Sequence, residues 1–92
     1  MLRISRENLA GVAVVRVEGR LYGEGADELE RECRDVGGSL RLDLTALLTA
    51  DEVGLALLRS LRDSGAVFVG ASPFIQLLLE GSKKSSGGGN AA

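Results

Sequence analysis

The stretch Asp43–Leu58, DLTALLTADEVGLALL, changes character halfway along. It opens as the end of an apolar strand, Leu40-Arg-Leu-Asp-Leu44, and closes with leucines at helical spacing. Between the two lies an acidic joint, Thr49-Ala-Asp-Glu52, with a glycine two residues on. Thr49-x-x-Glu52 has the form of a capping box, in which each side chain satisfies the other's backbone amide at a helix start. Asp51 in the first turn would meet the positive end of the helix dipole. The pattern predicts a helix from about Ala50 to Asp63 that buries Ala50, Gly54, Leu57, Leu58 and Leu61, with Gly54 allowing close approach to a sheet. Leu55 falls off that stripe. The joint then has two readings, a helix cap or a surface offered to a partner.

Working outward, Leu2–Glu7 alternates weakly and Val12–Val17 is β-branched and nearly continuous, which predicts a hairpin turning near residues 8–11. Gly19 would end its second strand. Ala26, Leu29, Cys33 and Val36 make one helical stripe between Gly25 and Val36, with Asp27–Arg31 and Glu30–Arg34 at i, i+4 on the other face. Gly37-Gly38 stop it. Ala66–Gly70 is a short strand, and Ser72-Pro73 supplies a cap and a first-turn proline for a third helix ending near Gly81. The order ββαβαβα predicts an α/β fold with a small, mostly parallel four-stranded sheet and one antiparallel edge strand. The domain covers residues 1–81, and residues 82–92 read as a disordered Gly/Ser-rich tail.

Composition narrows the chemistry. The 92 residues are 45% hydrophobic but only 3% aromatic, so one aliphatic core is expected. Eleven basic and thirteen acidic residues, dispersed, argue against nucleic acid. With no histidine, neither a Ser/His nor a Cys/His pair can form within the chain, and no metal or cofactor is expected. The lone Cys33 reads as a small core side chain in a reducing compartment. No segment resembles a signal peptide or a membrane span, so the chain reads as a cytoplasmic protein with no direct membrane insertion. Asp43 and Asp51 could pair as catalytic carboxylates, but general acid work needs a raised pKa and a helix amino terminus lowers it. Asp43 fits better as the organiser of the loop that follows it. Gly19, Gly23 and Gly25 lack the lysine of a phosphate loop and serve as turn punctuation. The chain is therefore read as non-catalytic.

Asp43-Leu-Thr-x-Leu-x-x-x-Asp51-x-x-Gly54-Leu55-x-x-Leu58 resembles the central motif of STAS domains, the anti-sigma-factor-antagonist family. Val17-Glu-Gly-Arg-Leu21 resembles that family's strand-two ending, and Ala71-Ser-Pro-Phe-Ile-x-x-Leu-Leu its last strand-to-helix step. The resemblance runs over roughly residues 2–81. It implies a regulatory protein-interaction module whose partner is an anti-sigma factor or a related ATP-binding regulator. Alternatively, it implies an accessory subunit of a lipid-transport ABC transporter, paired with the ABC ATPase. The family's phosphorylated hydroxyl position matches Glu52 here, followed by Val53, so the resemblance implies no phospho-switch. A partner surface is expected at Asp51, Glu52, Val53 and Leu55. Phe74 and Leu77, left over once Ile75, Leu78 and Leu79 pack on the sheet, are expected to mediate self-association as a homodimer, with docking of a partner as the alternative.

Overall fold

A computed structural model describes residues 1–36 and 38–80. The expected tail, residues 82–92, lies outside the described residues, as do Gly37 and Gly81. Strand β1 (Leu2–Leu9) turns through Ala10 and Gly11 into β2 (Val12–Leu21). Both turn residues have positive φ, 52° and 81°, the geometry whose twist matches a two-residue hairpin. The chain continues as α1 (Gly23–Arg34), β3 (Leu40–Asp43), β4 (Leu47–Ala50), α2 (Glu52–Asp63), β5 (Val67–Val69) and a helix over residues 73–80, α3.

The α/β class and the mixed sheet are as expected, with one strand more than the four read from the sequence. The order is β1-β2-β3-β5, and β4 pairs with β2 beyond the end of β3. Among the described residues only the hairpin pairing is antiparallel. Residues 13–16 of β2 carry β3, and Gly19, Arg20 and Leu21 carry β4. β3 and β4 are thus two pieces of one line, interrupted by a turn in which the Leu47 amide donates to the Leu44 carbonyl at 3.1 Å. Gly19 does not end β2. It sits at φ 96° where the register shifts, and β2 runs on to Leu21.

Alternation along the strands puts Val15, Val17 and Leu42 on one face, and Arg16 and Arg41 on the other. All three helices cover the first face. Ala26, Leu29 and Cys33 of α1, Leu55 and Leu58 of α2, and Ile75 and Leu79 of α3 join those strand residues in one core. α1 begins two residues before Gly25 and ends at Arg34, so Val36 lies beyond it. Of the two expected ion pairs on α1, Glu30–Arg34 forms at 3.2 Å and Asp27–Arg31 does not. α3 begins where expected, with the Ser72 hydroxyl accepting from the Ile75 amide at 3.2 Å.

Candidate functional site

The loops that follow β2, β4 and β5 all leave the sheet at the carboxyl ends of parallel strands, where open α/β sheets usually meet ligands and partners. Asp51 ties two of them together. Its amide donates to the Leu21 carbonyl at 3.1 Å, continuing the β2–β4 ladder by one residue. One carboxylate oxygen accepts from the Gly54 amide at 2.8 Å, and the other accepts from the Gly23 amide at 3.1 Å. The first bond caps α2 and the second holds the start of α1. These amide bonds, Gly54's foremost and Gly23's next, hold the Asp51 carboxyl below its usual range.

The cap is therefore Asp51, not Thr49. Thr49 belongs to β4, paired beside Arg20, so the expected capping box does not form. The reason lies in the two-residue shift of the helix start. β4 extends the ladder to Ala50, and backbone pairing with β2 takes precedence over an earlier helical turn. Asp51 serves as well as Thr49 would have, since Asp is among the preferred caps. Glu52 then stands at the first helical position, exposed, with no reach back to Thr49.

The expected partner residues consequently divide. Glu52 is exposed and Val53 is 54% exposed. Asp51 is half-buried and committed to backbone amides. Leu55 is 6% exposed and part of the core, which corrects its placement on the partner surface. The buried arc of α2 centres on Gly54 and Leu58, and Leu55 and Leu57 flank it on opposite sides. The core reaches far enough to cover the Leu55 flank. Leu57, expected to be buried, is half-buried.

Tyr22 was missed by the sequence reading. It occupies the N-cap position of α1, 48% exposed, and its neighbour Gly23 is bonded to Asp51. The signal was available: it is the chain's one tyrosine, placed between an apolar strand and a glycine. Asp51 thus ties together two loops that expose Tyr22 on one and Glu52 and Val53 on the other.

Asp43, at the end of β3, performs the loop-ordering role expected of it. One oxygen accepts from both the amide and the hydroxyl of Thr45, at 3.0 and 2.6 Å, and the other lies 3.4 Å from Arg16 Nε. The Thr45 hydroxyl bond leads the causes that lower its pKa, followed by the Thr45 amide, with Arg16 contributing less. Both carboxylates that could have paired for catalysis are thus held ionised by their neighbours. Cys33, buried at the far end of α1, is pushed up to about 11, mainly by burial, then by Glu32. No helix among the described residues is long and apolar enough to cross a membrane.

No family model matches the sequence, and no curated protein matches it either. Solved structures do. The anti-sigma factor antagonist SpoIIAA in its unphosphorylated form superposes with a TM-score of 0.64 at 14% identity, over 85% of this chain and 82% of that one. An anti-sigma-factor antagonist STAS domain from Rhodobacter sphaeroides gives a TM-score of 0.59 at 20% identity, over 78% of this chain and 92% of that one. A protein called Mglu gives 0.58 at 20% identity over 70% of this chain, which spans only 18% of that larger protein. Identities this low speak to architecture, and the architecture agrees over nearly the full length of the two antagonist structures. In its fold, the chain is a STAS-like domain.

Proposed function

We propose that this domain is a non-catalytic regulatory module that binds a protein partner through Tyr22, Glu52 and Val53. The carrying observation is the Asp51 clasp, which ties the loop bearing exposed Tyr22 to the helix start bearing exposed Glu52 and Val53 on the sheet's loop edge. A rigid patch of that kind suits recognition because little ordering entropy is lost on binding. The likeness to anti-sigma-factor antagonists supports a partner of the anti-sigma type. In this reading Glu52 takes the place of the phosphorylated hydroxyl that the resemblance implies, and the domain acts without a phospho-switch. A glutamate brings about one negative charge where a phosphoserine would bring about two, and it brings that charge permanently.

The test has two parts. Affinity capture from the native host with the wild-type domain should retain an ATP-binding regulator that Glu52→Lys retains at least about tenfold less well, a difference of ~1.4 kcal/mol. Capture of an ABC ATPase instead would move the same surface to a transport assembly. Equal retention by wild type, Glu52→Lys and Val53→Asp would remove the surface altogether. Incubation with the partner's kinase activity should leave the mass of the domain unchanged, and a phosphopeptide spanning residues 42–59 would refute the absence of a switch.

A further inference from the structure

The two edges of the sheet are built differently. β1, along one edge, carries Arg3, Arg6 and Glu7, the kind of charge that keeps an open edge from pairing with another chain. β5, along the other, is Val67-Phe-Val69, and no charged residue occurs anywhere from Ala66 to Leu79. Its inner side is occupied by β3, with Phe68 beside Leu42. The Val69 carbonyl accepts from the Leu44 amide, so by alternation the amide and carbonyl of Phe68 point away from β3, to an edge that no other described strand occupies.

α3 extends the same side. Its Gln76 and Leu79 face a gap of about 400 Å³ shared with Arg62 of α2 and Phe68. Phe74 falls on the opposite flank, away from α2, and Leu77 on the outermost line of the helix. These two are 52% and 67% exposed, and Val67 on the edge strand is 55% exposed. The edge of β5 thus carries Val67 on the bare sheet face, beside Arg41, and Phe68 on the helix face, where α3 adds its bare flank.

We infer that this surface is a homodimer interface, in which β5 pairs antiparallel with β5 of a second copy and the two α3 helices pack side by side. A two-fold axis at Phe68 makes the Phe68 amide of each copy donate to the Phe68 carbonyl of the other and sets Val67 opposite Val69. Because α3 returns antiparallel to its strand, the same axis lays the two helices antiparallel and brings Phe74 toward the other copy's Leu77. The surface is its own complement: residues 66–79 that form it bring no charge against a second copy, and the whole chain carries a net charge of only −2. The exposed parts of Val67, Phe74 and Leu77 offer roughly 300 Å² per copy, and the strand backbone and flanking side chains bring the total near the ~1,000 Å² of a weak specific interface. Association belongs in the micromolar range.

Sedimentation equilibrium on the full chain, from about 1 µM to about 1 mM, should show the average mass rising from 9.6 kDa toward twice that value. Val67→Lys, which guards the edge as β1 is guarded, and Phe74→Asp/Leu77→Lys, on the helix, should each weaken association at least about tenfold. All three positions are exposed, and far-UV circular dichroism checks that the variants fold. In wild type, amide exchange at Phe68 should slow as concentration rises, a readout that needs no variant. A chain that stays monomeric throughout overturns the proposal. So does a dimer that ignores either variant, or one whose Phe68 amide exchanges at a rate independent of concentration.

Discussion

Asp51 shows how a single side chain can serve two elements at once. As a carboxylate it accepts from two amides with its two oxygens, one in its own helix and one across the loop edge. An asparagine has only one accepting oxygen, and its amide nitrogen would face one of the two N–H donors. Since Asn caps helices about as well as Asp, the bond to Gly54 should survive in Asp51→Asn and the bond to Gly23 should be lost. Amide exchange then discriminates: Gly54 should keep its protection, while Gly23 exchanges at least about tenfold faster. Equal loss at both amides would mean that the clasp acts only through the helix. The sequence could point to Asp51 as a first-turn acid but not to this second bond, since Gly23 lies 28 residues away and only the β2–β4 pairing brings it near.

At the scale of elements, α2 is positioned by what it lacks. A Cβ on Gly54 would run into the Leu21 carbonyl of β2, so the helix lies on the sheet at a distance only glycine allows. In an exposed helix, Gly→Ala adds ~1 kcal/mol of stability. Here Gly54→Ala should instead cost about 1–3 kcal/mol through overpacking, a reversal of sign measurable by urea unfolding. This glycine was legible in the sequence because it interrupts a leucine stripe. β4 was not, for its four residues fall between the strand read at Leu40–Leu44 and the helix read from about Ala50, and no Gly or Pro marks a break there. The Asp43–Thr45 bonds make that break by side-chain chemistry, which period-based reading does not register. The shift from Thr49 to Asp51 as the cap follows from the same omission, since Thr49, read as the cap, and Ala50, read as the first helical residue, both belong to the extra strand.

The whole molecule gathers these local arrangements into its response to pH. Asp43 and Asp51 titrate below their ordinary range when folded, so the unfolded chain binds their protons more readily. Their contribution is complete above the ordinary carboxyl pKa of 3.8 and disappears as pH falls through the lower folded values. Cys33 behaves in the opposite sense. Its folded value of about 11 exceeds the ordinary 9.0, so stability is retained below 9 and declines between the two. Urea midpoints should therefore form a plateau bounded at both ends. Asp43→Asn should flatten the acid slope and Cys33→Ala the alkaline one, each leaving the other unchanged.

The position of β2 has a kinetic consequence. Among the described residues three of the sheet's four pairings include this strand, and only the one with β1 joins segments adjacent in the chain. Closing a two-residue turn is fast, whereas β3 and β4 must each be brought back across α1 against a larger loss of loop entropy. The hairpin is then the template on which the parallel strands condense, and β5 with α3 arrives last, held to the sheet through β3. Mutations at the two ends of this sequence of events should divide between the arms of a chevron plot. Val15→Ala, in the centre of β2, should chiefly slow refolding, whereas Leu79→Ala, in α3, should chiefly hasten unfolding. Stopped-flow measurements showing the reverse assignment would place the nucleus among the helices instead.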